Sequence, residues 1–291
     1  MTSAAMWVAG ARPRTLPAAV SPVVVGTGLA IAAGAFVAPR ALLALIVAVA
    51  LQVGVNYAND YSDGIRGTDD ARVGPIRLVG QGLALPGSVR AAAFLCFLIA
   101  ALAGLGLGIL TGEWWLVAVG LASIAAAWLY TGGPRPYGYL GLGEVFVLVF
   151  FGIVPVMGTA YVQTLELTVP ALLAGLSVGL FACAVLVTNN LRDIPGDTVS
   201  GKHTLAVRLG DRGTRVLCVA IVVSGFACIL ALTVLTSPWT LLGLLALPWA
   251  IAPVRIVASG ARGPGLIPAL KSTGTLVLVT GFSLGLGLAL G

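Results

Sequence analysis

The sequence predicts an all-α integral membrane protein of about nine transmembrane helices, and three observations carry that prediction. Only 9% of the 291 residues are charged and 59% are hydrophobic, with a mean hydropathy of +1.06, values at which a soluble domain would aggregate. Apolar stretches recur near residues 17–38, 41–58, 88–110, 114–130, 140–161, 169–189, 213–235, 238–256 and 267–290, each close to the roughly 20 residues a helix needs to cross a hydrocarbon core. The polar residues are gathered between these segments, two groups of them rich in Asn and Asp. A single membrane domain over residues 1–291 is the expectation.

If the segments alternate across the bilayer, fifteen of the sixteen Lys and Arg residues lie on one side and only Arg40 on the other. Positive charge marks the cytoplasmic side, so the N-terminus and both Asp stretches are expected in the cytoplasm and the C-terminus outside. The net charge of +6 is thereby a topology signal, and no nucleic-acid partner is expected.

Arg12 and Arg14 precede the first segment in A-R-P-R-T-L-P-A-A-V-S-P; they resemble a signal-peptide start, but the apolar run is too long and a mature first helix is expected. Gln52 and Asn56 draw a polar stripe along the second helix, which should face the bundle interior because amides facing lipid are costly. That helix runs into N-D-Y-S-D-G-I-R-G-T-D-D, where Asn59 and Asp63 stand four apart and Asp69 and Asp70 follow. The next loop holds Arg72 and Arg77, suited to phosphate oxygens through forked hydrogen bonds.

Glu113, Trp114 and Trp115 mark an external interfacial belt. The following loop, Y-T-G-G-P-R-P-Y-G-Y-L-G-L-G-E, places Tyr130, Tyr137, Tyr139, Arg135 and Glu144 on the same side as the Asp stretches. Its tyrosines are either belt residues or aromatic faces for a developing cation. The second Asp stretch, N-N-L-R-D-I-P-G-D, spaces Asn189, Asp193 and Asp197 at intervals of four. Pro195 is expected to end the helix, leaving Asp197 on the turn beyond. Lys202 and Arg208 follow as counter-charges, and the single histidine, His203, is read as an interfacial hydrogen-bonding residue. The four cysteines lie in apolar segments without C-x-x-C pairing and are read as core. The last three segments are bundle walls, with a C-terminal glycine run that permits close helix packing.

Positions four apart share a helix face, so each Asp stretch aims an amide and a carboxylate in one direction. Crowded carboxylates at a membrane boundary call for a hard divalent cation, and Mg²⁺ uses one or two carboxylates plus substrate phosphates. Two facing Asp clusters therefore point to a diphosphate between them.

The paired motifs, N-D-x-x-D and D-x-x-x-D, with G-K-H-T-L-A-V-R-L-G after the second, resemble the signature of the UbiA superfamily of intramembrane prenyltransferases. Within it, N-Y-A-N-D-Y-S-D-G-I-R-G-T-D-D-A-R-V-G-P and L-Y-T-G-G-P-R-P-Y-G-Y resemble the menaquinone-pathway branch of actinobacterial type. Where many members carry a third Asp, eight residues after the motif Asn, this chain has Gly67.

The resemblance implies nine helices around a central cavity in a bacterial plasma membrane. It implies Mg²⁺-dependent transfer of a polyprenyl group from polyprenyl diphosphate to 1,4-dihydroxy-2-naphthoate, losing diphosphate and CO₂ to give demethylmenaquinone. Metal ligands would be drawn from Asp60, Asp63, Asp69, Asp70, Asp193 and Asp197, with Asn59, Asp63, Asp193 and Asp197 at the reacting centre. Substrate would meet Asn56, Asp60, Arg72, Arg77, Arg135, Tyr137, Tyr139, Asn189 and Lys202, the acceptor carboxylate being taken by Arg135 or Arg12. A 4-hydroxybenzoate or homogentisate acceptor stays open. The start D-Y-S-D-G also resembles CDP-alcohol phosphotransferases, which lack a second distant Asp site. A cation-coupled transporter would bind near the midplane on broken helices, whereas these carboxylates stand at helix ends.

Overall fold

The computed structural model describes residues 2–67 and 76–291. Among these every regular element is helical, as predicted. A short helix α1 (Ala4–Gly10), which hydropathy did not indicate, leads through a 3₁₀ turn into α2 (Pro17–Ala32). Then follow α3 (Ala38–Ile65), α4 (Pro86–Thr111) and α5 (Trp115–Leu129). The fifth predicted segment is α6 (Gly143–Leu148), a π turn (Val149–Ile153) and α7 (Val154–Thr164) in succession. The rest are α8 (Val169–Val199), α9 (Leu205–Leu235), α10 (Leu247–Ala258) after a 3₁₀ stretch, and α11 (Ile267–Ala289).

All nine predicted segments thus have a helical counterpart. Seven helices are long and apolar enough to cross a membrane; the bent α1–α2 pair makes an eighth if it is one span, and α5 is a shorter apolar helix. This is a multi-pass membrane protein, and its outward Leu, Val and Phe side chains on α4 and α9 are lipid-facing surface.

Two predicted boundaries change. Pro195 does not end a helix: α8 continues to Val199. A proline removes one backbone bond and crowds one carbonyl, and its neighbours carry the helix past it. The seventh segment starts earlier than expected, at Leu205, and is broken at Gly210, whose φ of +68° is available to glycine at little cost.

α8 is the central helix, with 67% of its apolar window buried. It packs on α9, on the π turn and on α11, while α3 packs on α4 and α2 on α11. Small residues set these distances. A Cβ on Gly152 would come within 2.4 Å of Gly179 Cα, and one on Gly28 within 2.3 Å of the Gly285 carbonyl. Hydroxyls add bonds between helices, Ser177 donating to Gly225 O and Ser21 to Val277 O, both at 2.9 Å. The C-terminal glycine run therefore does permit close packing. The described cysteines are free, two buried and two half-buried.

Candidate active site

The C-terminal ends of α3 and α8 carry the two Asp motifs, and the turn Tyr137–Leu140 lies between them. Asp63, buried near the end of α3, accepts a hydrogen bond at 2.5 Å from the Tyr139 hydroxyl, and Lys202 Nζ lies 3.5 Å from the same oxygen. Lys202 is itself fixed by the end of α8, its backbone N–H donating to Asp197 O at 2.8 Å. The ammonium also sits 4.6 Å from the Tyr139 ring centroid. Next to it, the His203 N–H donates to Tyr139 O at 3.0 Å. The two motifs therefore stand at one end of the bundle, joined through Tyr139 and Lys202.

Burial, reinforced by the charge and hydrogen bond of Asp63, pushes the Tyr139 hydroxyl well above the ordinary tyrosine value. It is a neutral, fixed donor.

Asn189 and Asp193 share a face of α8, and Arg192 closes onto both. Its Nε donates to Asp193 Oδ1 at 2.6 Å, and one terminal nitrogen donates to Asp193 Oδ2 and to Asn189 Oδ1, each at 2.8 Å. With α8 intact through Pro195, Asp197 lies one further turn along the same helix and is buried. This corrects its expected position on a turn.

Other predicted residues have different work. Asp60, fully buried, accepts from Leu78 N at 2.7 Å and Val79 N at 3.0 Å through its two oxygens. It pins the loop after residue 75 to α3, a structural task beside the metal or substrate contact expected of it. Asn56 donates to Ala11 O and to Thr15 Oγ1, both at 2.9 Å, and Gln52 donates to the same Thr15 hydroxyl at 3.0 Å. The stripe faces inward as expected, but Asn56 holds the α1–α2 link and not an open site.

Asn59 Oδ1 accepts from Thr131 Oγ1 at 2.7 Å. The Tyr137 hydroxyl donates to Ala126 O at 2.7 Å and its ring stacks on Phe146, so Tyr137 is packing. Arg135 and His203 are exposed, and Arg77 is buried beside the Asp60 clamp. Asp69, Asp70 and Arg72 lie outside the described residues.

Sequence reasoning missed three participants. Arg192 was legible, standing inside N-x-x-R-D. Arg66 donates to the carbonyls of Thr131 and Gly133 and lies 5.6 Å from the Tyr139 ring centroid, and a basic residue in a basic loop carries no signal for that. Asn190 donates to buried Glu144 at 3.1 Å, tying α8 to α6.

The donors present at the two motifs are hard oxygens, the set that Mg²⁺ takes. Asp63 and Asp193 already draw basic side chains to themselves, which shows the demand for positive charge. Among the described residues no three Asp, Glu, His or Cys side chains converge on one point.

The profile of the UbiA prenyltransferase family matches residues 19–263. A 1,4-dihydroxy-2-naphthoate octaprenyltransferase from Mycobacterium tuberculosis is 53% identical over all of this chain and 99% of its own length. An apo UbiA homologue from Aeropyrum pernix K1 superposes with a TM-score of 0.74 at 15% identity, covering 92% of this chain and 96% of its own. A UbiA homologue from Archaeoglobus fulgidus bound to GPP and Mg²⁺ gives a TM-score of 0.70 at 13% identity, covering 96% and 99%.

Proposed function

We infer that this chain, which belongs to the UbiA prenyltransferase family, transfers a polyprenyl group from polyprenyl diphosphate to 1,4-dihydroxy-2-naphthoate within the bilayer. Diphosphate and CO₂ leave, and demethylmenaquinone forms in its reduced, quinol state. The observation that supports a reaction at this site is the Asp63–Tyr139–Lys202 contact, which brings two motifs over a hundred residues apart in sequence to one end of the bundle. The naphthoate acceptor is supported by the 53% identical relative.

Mg²⁺, when bound, supplies neutralisation of the charge that grows on the leaving diphosphate. Asp63, Asp193 and Asp197 are the residues that would hold it, with Asp69 or Asp70 as a further carboxylate. Tyr139 orients Asp63. Lys202, Arg192 and Arg77 supply positive charge for the outer phosphate oxygens, groups aimed at charge that develops in the transition state. The Asp-bearing end faces the cytoplasm, since nearly all basic residues lie there.

Purified protein in lipid discs is incubated with radiolabelled octaprenyl diphosphate, Mg²⁺ and each of 1,4-dihydroxy-2-naphthoate, 4-hydroxybenzoate and homogentisate. Labelled quinol with the naphthoate alone is expected, and none after chelation until Mg²⁺ is restored. Product only with another acid would overturn the acceptor; undiminished turnover under chelation would overturn the metal.

A further inference from the structure

Two of the carboxylates that this reading assigns to metal, Asp63 and Asp193, already hold a cation from the second motif. Arg192 covers both oxygens of Asp193 and the carbonyl of Asn189, at 2.6 to 2.8 Å. Lys202 stands 3.5 Å from Asp63. The side chains of Arg192 and Lys202 are each only 8% exposed.

The geometry of the first pair is informative. Consecutive residues on a helix point in directions about 100° apart and do not face each other. Arg192 therefore reaches Asp193, its immediate neighbour, by folding its guanidinium back over the surface of α8. The terminal nitrogen that meets Asp193 Oδ2 also holds Asn189, three residues back, so one guanidinium bridges the Asn189–Asp193 face of the helix. An arginine folded onto its neighbour is released by turning about its own side-chain bonds, with no change in the backbone.

We propose that Arg192 and Lys202 are exchange partners for the divalent cation. In the metal-free chain they neutralise Asp193 and Asp63; when metal and a prenyl diphosphate bind together, they turn from carboxylate to phosphate oxygens. The proposal rests on the reading of this site as one for metal and diphosphate. Charge stays balanced throughout: the carboxylates pass from one cation to another while the freed ammonium and guanidinium meet the incoming phosphates. The arrangement makes metal alone bind weakly and makes metal and diphosphate bind cooperatively, since either ligand without the other leaves charge unpaired in a buried site.

The test measures binding, not turnover. Full-length protein in detergent is titrated with Mn²⁺ alone, followed by electron paramagnetic resonance, and then with an unreactive prenyl thiolodiphosphate at saturating Mn²⁺. Wild type, Arg192→Gln and Arg192→Lys are compared, with melting curves to establish folding. Removing a charged, forked partner is expected to change each affinity about tenfold. Arg192→Gln binds Mn²⁺ alone more tightly and the thiolodiphosphate more weakly, with Arg192→Lys between. These opposite signs are the decisive readout, because an arginine that merely braces α8 would weaken both or neither. Mn²⁺ affinity in Arg192→Gln equal to or below that of wild type overturns the exchange. If wild type takes up no Mn²⁺ even with the thiolodiphosphate, the metal reading fails and the exchange fails with it.

Discussion

Asp60 and Asp63 stand three residues apart on α3 and do opposite things. Asp60 gives its oxygens to two loop amides, so Asp60→Ala strands the buried Leu78 N–H at about 1 to 3 kcal/mol and the half-buried Val79 N–H at less. The expected outcome is a lower melting temperature and faster proteolysis near residue 78, with Asp60→Asn milder because it keeps one acceptor. Asp63→Ala is expected to fold and insert normally while transfer falls by about 10² to 10³, the usual loss when one group stabilising transition-state charge is removed. Near-normal turnover would remove Asp63 from the site. Tyr139 yields a pH prediction. Its hydroxyl is held above the ordinary value by burial and by Asp63, so the neutral form stabilises the fold fully below the unfolded tyrosine value of about 10. That contribution is lost as pH rises beyond it toward the folded value. Wild type should therefore lose melting temperature above about pH 10 more steeply than Tyr139→Phe. Parallel curves would show that the hydroxyl contributes nothing.

The packing of α8 against the π turn is the test at the level of elements. Gly152→Ala drives a methyl to 2.4 Å from Gly179 Cα, a contact between two backbones that no side-chain rotation relieves. Overpacking of this kind costs about 1 to 3 kcal/mol, and a fall in melting temperature is the expected outcome, with Gly158→Ala, which meets open space, as the unaffected control. Helix existence was legible in the sequence because hydropathy over some twenty residues reports burial in lipid whatever the neighbours are. Helix ends were not. Pro195 looked like a stop because the rule for proline is local, whereas the helix around it is held by packing along α8; the turns of α9 before residue 213 were missed because Asp211, Arg212 and Arg215 break the apolar run there, and hydropathy does not register a helix that carries charge. The site was half legible. Intervals of four found Asn59, Asp63, Asn189 and Asp193, but no spacing tells a carboxylate that pins a loop from one that faces a substrate. The Asp60 partners arrive from residues 78 and 79, beyond any local pattern.

For the molecule as a whole, the lone basic residue at the far end explains itself. Arg40 donates to Leu110 O at 2.8 Å and Val162 O at 3.1 Å, in the last turns of α4 and α7, where helix dipoles favour a cation. It is a clamp, not a topology signal. Arg40→Gln should lower the melting temperature and leave the orientation unchanged, read by labelling Ala33→Cys and Ser259→Cys in intact cells with an impermeant thiol reagent; an inverted pattern would contradict the orientation proposed. The lengths of α3 and α8 carry a last consequence. At about 1.5 Å per residue their 28 and 31 residues run to about 42 and 46 Å, against a hydrocarbon core of about 30 Å. Both motifs lie in the last turns of these helices, so an overhang at that end would carry them to the depth of the lipid headgroups. A prenyl donor can then keep its tail among acyl chains and its charged head at its natural depth, so enzyme and donor meet by drifting in a plane. Turnover in vesicles should follow the number of donor molecules per lipid and ignore dilution of the whole suspension.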